Sequence, residues 1–269
     1  MKRVYEIHEL QPYINWAYFY HAWQLRNPDQ QLKSRGEAEQ VLVQLDGRYR
    51  AYALFQLFDA NSDGDDIVLF GKDEHQPIGR IPLLRQQASD SGFLCLSDFI
   101  CPLTAGVADK IGLFATTVDL GLETDFSHDS YQKMMIQLLA DRLAEAAAEK
   151  LHEEVRRTVW GYAPDEQLSM EDLHAERFQG IRPAVGYPSL PDASLNFVLD
   201  NLLQFKQIGI RLTESGAMNP HASVSGLMIA LPTAHYFSIG KIGEDQLLDY
   251  AHRRGLPLEV VRKFLITSI

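Results

Sequence analysis

Apolar positions recur along this chain with two different periods, and the changes of period mark its elements. Met135, Leu139, Leu143, Ala147 and Leu151 follow one another at four-residue steps. That spacing puts them on one helix face and predicts a long helix from about Tyr131 to Arg157. The run Ala144 to Ala148 adds strong helix formers to it. Leu195, Val198, Leu199, Leu202 and Leu203 make a second stripe, which Asp192 can cap. Ser169-x-x-Asp172 reads as a capping-box variant opening a short helix. The aromatic stretch Ile14 to Trp23 reads as a helix set against the core.

Elsewhere the pattern belongs to strands. Arg50 to Phe58 and Ile67 to Phe70 read as two of them, joined by a polar turn over Asp59 to Asp66. Ile111 to Val118, rich in β-branched and aromatic residues, reads as a third. Ala222 to Leu231 and Tyr236 to Ile242 read as a pair around Pro232-Thr233, before two C-terminal helices separated by Gly255 and Pro257. Strands come before and after the long helix instead of alternating with helices. The expected class is therefore α+β, with a mainly antiparallel sheet flanked by helices, as a single domain over residues 1–269. No G-x-G-x-x-G or G-x-x-x-x-G-K-[ST] occurs, which disfavours dinucleotide and P-loop folds.

Composition narrows the function classes. The chain has 269 residues, 46% hydrophobic and 23% charged, an ordinary globular balance. No apolar run approaches the roughly 20 residues that span a bilayer, and Met1 to Glu6 lacks the apolar core of a secretory signal. The expected location is cytoplasmic, without membrane contact. A net charge of −11 argues against nucleic-acid binding, which needs clustered basic residues, and suits a cationic ligand. Cys95 and Cys101 are too few for a disulfide framework and read as reduced thiols.

Most candidate sites have a plainer reading. Asp59-x-Asn61-x-Asp63-Gly64-Asp65 has the spacing of a calcium loop, but Phe70 stands where a bidentate carboxylate is required. An Asp/Gly turn is the better reading. His152-Glu153-Glu154 has no second histidine at helical spacing, so it reads as a solvated helix face and no metal site is expected. A G-x-S-x-G nucleophile elbow is absent too. The segment Gly180 to Pro188 differs in kind. Pro183 and Pro188 fix its backbone, Gly186 lets a ligand approach the main chain, Arg182 can grip a carboxylate, and Tyr187 offers an aromatic surface. A rigid turn carrying a surface arginine fits the same composition.

Arg182-Pro183-Ala184-x-Gly186-Tyr187-Pro188 resembles the R-P-A-x-G-Y-P signature of the activation domain of cobalamin (vitamin B12)-dependent methionine synthase. Ala140 to Ala146, Trp160 to Pro164, Phe178 to Ile181, Leu212 to Ser215, Met218-x-Pro220-x-Ala222-Ser223 and Asp249-Tyr250-Ala251 are similar in the same order. Leu84 to Gln87, Leu96 to Phe99 and Gly64 to Ile67 extend the likeness upstream, so it runs from about Ile14 to Leu265.

The resemblance implies a bent antiparallel sheet with flanking helices. It also implies a function: S-adenosylmethionine held for reductive methylation of inactive cob(II)alamin, with the electron from a flavodoxin-type donor. Carried over, Arg182 would hold the ligand's carboxylate, backbone groups near Ala184 and Gly186 would make polar contacts, and Tyr187 and Tyr236 would line and close the pocket. Glu145 and Glu176 would suit its ammonium or ribose hydroxyls. No residue need act as acid, base or nucleophile. Asn15 stands where the family has aspartate, and Asn219 and His221 replace its Trp and Gly. No cobalamin-binding D-x-H-x-x-G motif is present, so the resemblance implies a stand-alone subunit acting on cobalamin carried by a partner protein. The competing expectation is a non-catalytic S-adenosylmethionine-binding sensor or interaction module.

Overall fold

A computed structural model describes residues 1–71, 76–88, 92–126 and 129–265. The chain opens with strand β1 (Lys2–Glu6) and helices α1 (Ile7–Leu10), α2 (Trp16–Ala22) and α3 (Pro28–Leu45). Strands β2 (Arg50–Asp63), β3 (Asp66–Phe70), β4 (Pro77–Pro82) and β5 (Asp109–Val118) follow. Helices α4 (Gly121–Thr124), α5 (Ser130–Glu154), α6 (Met170–His174) and α7 (Leu195–Leu203) come next. The short strands β6 (Arg211–Leu212) and β7 (Met218–Asn219), then β8 (Ser223–Met228), lead to helices α8 (Glu244–Arg254) and α9 (Leu258–Phe264). No helix among the described residues is long and apolar enough to cross a membrane.

The main sheet is antiparallel throughout, in the order β4-β3-β2-β5-β8, with β1 pairing along the first part of β2. Alternation along the strands gives each face its own core. Ala51, Ala53 and Phe55 of β2 with Phe114 and Val118 of β5 pack under α1, α3 and α5. Leu54 and Phe58 with Ile111, Leu113 and Ala115 pack under α7 and Phe205. The result is a sheet between two helical layers, the expected α+β class. A third apolar cluster joins α8 and α9 to Leu84, Ile239 and Ile242.

Three expectations about elements are corrected. The turn over Asp59 to Asp66 is mostly strand: β2 runs 14 residues, and only Gly64 and Asp65 turn the chain into β3. Its polar residues are spent on protein partners. Asp59 pairs with Lys110, Asp63 and Asp66 with Arg80, and Asp65 with Arg85. Buried Asn61 donates to the Cys101 and Val107 carbonyls at 2.9 and 2.8 Å. Tyr236 to Ile242 forms no strand, because Ile181 to Val185 already occupies the β8 edge it would need.

Asp192, finally, does not cap α7, whose N-cap is Ser194. It is buried instead, accepting from the Ser194 amide at 2.8 Å and the Tyr250 hydroxyl at 2.7 Å. The two cysteines are free, and burial pushes the Cys95 thiol up to about 11.

Candidate functional site

The free edge of β8 decides where the site lies. Ile181 and Ile229 exchange backbone hydrogen bonds of 2.9 Å, and the Leu227 amide donates to the Pro183 carbonyl at 2.9 Å. The Val185 amide closes the run on the Ser225 carbonyl, also at 2.9 Å. The loop is thus an irregular strand, with a proline placed where only an acceptor is needed. Such close apposition excludes side chains at two points. A Cβ on Gly226 would sit 2.2 Å from the Pro183 oxygen. On Gly180, at φ +81°, it would sit 2.2 Å from the Ile229 oxygen.

Docked this way, the loop faces α5 across a cavity of about 540 Å³. That lies within the roughly 300–1,000 Å³ of small-molecule sites. Helix α5 contributes Arg142, Glu145 and Glu149, spaced by three and four residues so that they share one face. Arg182, Pro183, Ala184, Tyr187, Pro188 and Ser189 line the opposite side. Tyr13, Asn15 and Tyr18 come from around α2, Leu173, His174 and Glu176 from around α6, and Tyr236 and Phe237 from beyond β8.

The structure therefore brings Arg182, Ala184, Tyr187, Tyr236, Glu145, Glu176 and Asn15 to one cavity. Gly186 is not among the residues that line the cavity. Its amide donates to the Leu190 carbonyl at 2.8 Å, and a Cβ there would meet nothing within 4 Å. Its φ of +89° is one that glycine adopts without strain. Ala184 does line the cavity. Its carbonyl accepts from the Tyr187 amide at 3.2 Å, while its own amide meets no acceptor among the described residues.

Hydrogen bonds preset most of the lining. Arg182 Nη2 donates to Glu149 Oε2 at 2.8 Å, with the two side chains 11% and 14% exposed. The Tyr236 hydroxyl accepts from the Arg182 amide at 2.9 Å, and the Tyr187 hydroxyl donates to Glu145 Oε1 at 2.5 Å. Asn15 caps α2 by accepting from the Ala17 amide at 3.1 Å. Glu176, at φ +56°, holds its place at the end of α6 in a conformation that favours few side chains.

Charge distinguishes the cavity from a merely rigid turn. Three carboxylates (Glu145, Glu149, Glu176) face two guanidiniums (Arg142, Arg182). Burial lowers the Arg182 pKa, but Glu149, Tyr236 and Glu145 outweigh it and hold the guanidinium above its ordinary value. Burial raises Glu176, and the neighbouring Glu149 raises it further. The Tyr187 hydroxyl is raised by desolvation and then by Glu145. Arg182 Nε, Arg142 Nε and Glu149 Oε1 are shut off from water with no hydrogen-bond partner among the described residues. Each such atom costs about 1–3 kcal/mol unless something satisfies it.

A second buried network supports the loop from behind, and it overturns the reading of His152 as solvated. His152 is fully buried, stacked edge-on against Phe178 at 4.8 Å, with Nε2 3.2 Å from the Tyr162 hydroxyl. Burial, then Arg156 and Arg182, push its pKa well below the ordinary value, so the ring is neutral. Arg156, on the single π-helical turn Val155–Val159, is also fully buried. Its guanidinium lies 4.4 Å from the centre of the Phe178 ring and is held by Glu166 through Nε and Nη2 at 2.8 and 2.7 Å. Helical spacing alone makes no provision for this, because the π turn rotates residues after Glu154 out of the α register.

Sequence reasoning missed Arg142 and Glu149 as lining residues. The signal was available: both lie one helical turn from Glu145 on the same face. Tyr13, Tyr18, His174 and Phe237 carried no such signal, since tertiary packing alone brings their segments to the cavity.

The family model for the activation domain of vitamin B12-dependent methionine synthase matches residues 6–255. Among solved structures, a crystal structure of the MetH reactivation domain bound to AdoHcy superposes with a TM-score of 0.92 at 38% sequence identity. The match covers 100% of this chain and 90% of that one.

Proposed function

Because the chain belongs to the activation-domain family of vitamin B12-dependent methionine synthase, we propose that its cavity binds S-adenosylmethionine and presents it to cobalamin for reductive methylation. The observation that carries this reading is a single cavity in which Arg182, 11% exposed, stands opposite Glu145 and Glu149 with Tyr187 and Tyr236 beside it. An α-amino acid zwitterion offers the complementary acceptor and donor. The excess of carboxylates over guanidiniums further suits a ligand of net positive charge, which S-adenosylmethionine is and AdoHcy is not. The AdoHcy held by the homologous reactivation domain fits the same assignment, being what remains of S-adenosylmethionine once the methyl has left.

When bound, S-adenosylmethionine supplies a methyl group already activated on a sulfonium. The chain's own residues need only bind and orient. Arg182 takes the ligand's carboxylate, and the Ala184 amide and carbonyl make polar contacts. Tyr187 and Tyr236 wall the adenosine, Glu145 and Glu176 accept from its polar groups, and Asn15 contributes a neutral contact. The cobalamin would be presented by the cobalamin domain of methionine synthase or by another corrinoid protein, with a flavodoxin-type protein as electron donor.

Calorimetric titration of the chain with S-adenosylmethionine tests the first half of this reading. Saturable one-to-one binding, displaced by S-adenosylhomocysteine, is the expected outcome. A titration without heat up to millimolar ligand would remove the basis of the assignment.

A further inference from the structure

Resting on that assignment, we propose that the hydroxyl of Ser189 reads the edge of the ligand's adenine, with the base lying against Pro188 and Phe237. Ser189 is 6% exposed, and among the described residues that line the cavity no other polar one is buried so far. Its hydroxyl has no hydrogen-bond partner among the described residues, yet it is not shut off from water as Arg182 Nε and Glu149 Oε1 are. An unpartnered hydroxyl that stays accessible in the wall of a cavity opens onto that cavity. Once a ligand fills the space and expels water, the hydroxyl needs a partner on the ligand. The backbone holds it in place from both sides. The Leu190 amide donates to the Tyr187 carbonyl at 2.8 Å, and the Ile239 amide donates to the Pro188 carbonyl at 2.9 Å.

The chemistry of this wall selects the part of the ligand. The Ile239 bond ties Ser189 to the segment that carries Phe237, whose ring packs against Phe99 with centres 6.1 Å apart. Pro188 and Phe237 thus give an apolar surface with one hydroxyl set into it. Adenine has apolar faces and a polar edge, and it matches such a surface. The charged amino-acid head is drawn instead to the α5 wall, where the Arg182 side chain meets Glu149. A rival aromatic wall, Tyr13, Asn15 and Tyr18, is less suited to the base. Lys150 lies 5.4 Å from the centre of the Tyr13 ring and Arg142 lies 5.7 Å from that of Tyr18, so each ring already has a cation over one face. The side-chain oxygen of Asn15 is committed to the Ala17 amide.

The test is calorimetry on the full chain with S-adenosylhomocysteine and with analogues that each lack one edge group of the base: the 6-amino group, N1, N3 or N7. Ser189→Ala is expected to weaken S-adenosylhomocysteine binding by about fivefold, the scale of one neutral hydrogen bond. For an analogue that lacks the group the hydroxyl reads, wild type and variant should agree within about twofold, while the other analogues keep the full loss. An equal loss on every analogue would overturn the proposal, since the hydroxyl would then meet the ribose or the amino-acid head. No loss on S-adenosylhomocysteine, in a variant that melts like the wild type, would overturn it as well. Base preferences erased by Asn15→Ala but kept in Ser189→Ala would overturn it in favour of the rival wall. Failure of the wild type to bind S-adenosylhomocysteine at all would instead remove the S-adenosylmethionine assignment on which the proposal rests.

Discussion

Arg182→Ala is expected to weaken S-adenosylmethionine binding by about 10- to 150-fold, since the charge-assisted hydrogen bonds to the ligand carboxylate contribute about 1.5–3 kcal/mol. The same substitution leaves the Glu149 carboxylate, 14% exposed, without its cation. The fold should survive, because the main-chain bonds of Ile181, Pro183 and Val185 to β8 do not involve the arginine side chain. Calorimetry on the variant, with its melting curve as control, reads both effects. A loss under threefold in a variant that melts like the wild type would mean that Arg182 serves only to hold Glu149. Arg182→Lys should recover part of the binding, since it restores the charge without the planar fork.

Glu166→Ala is expected to cost about 3–5 kcal/mol of stability, the usual penalty for leaving a buried charge unpaired. Arg156 is completely buried, and Glu166 satisfies two of its three nitrogens. The cost should appear in urea denaturation as a lower midpoint with an unchanged slope. Because the Arg156 guanidinium lies on Phe178, two residues before Gly180, the variant should also loosen the start of the ligand loop. A change below about 1 kcal/mol would show that the pair is replaceable by solvent.

These two arginines show what the sequence could and could not reveal. Arg182 was legible because local chemistry singled it out, at the head of a short segment with two prolines and a tyrosine. Arg156 was not, since nothing in His152-Glu153-Glu154-Val155-Arg156 signals a π turn that buries a histidine and an arginine together. Long periodic elements were equally legible. The stripe from Met135 to Leu151 is buried on α5 as the four-residue steps require. The polar helix α3 escaped notice, although Asn27 and Pro28 are a standard cap and first-turn pair. Its buried residues Ala38, Leu42 and Leu45 make too narrow a stripe to stand out.

The errors share a cause, which is competition for partners that lie far away in sequence. Tyr236 to Ile242 has strand-like composition, but the edge of β8 is taken by the loop around Ala184. Asp192 looks like a helix cap, but Tyr250 claims one of its oxygens. Within the cavity the same limit applied. Glu145 was carried over from the family resemblance, and Glu149, which pairs with Arg182, became visible only when the loop was placed against α5.

The account stands most directly on a methyl-transfer measurement. A cobalamin domain of methionine synthase in the cob(II)alamin state is mixed with a reduced flavodoxin-type donor and S-adenosylmethionine carrying a labelled methyl group, with and without this chain. Labelled methylcobalamin should form in amounts that depend on the chain and be lost with Arg182→Ala. Methylcobalamin formed equally well in the chain's absence would contradict the account and leave a ligand-binding module without a role in cobalamin reactivation.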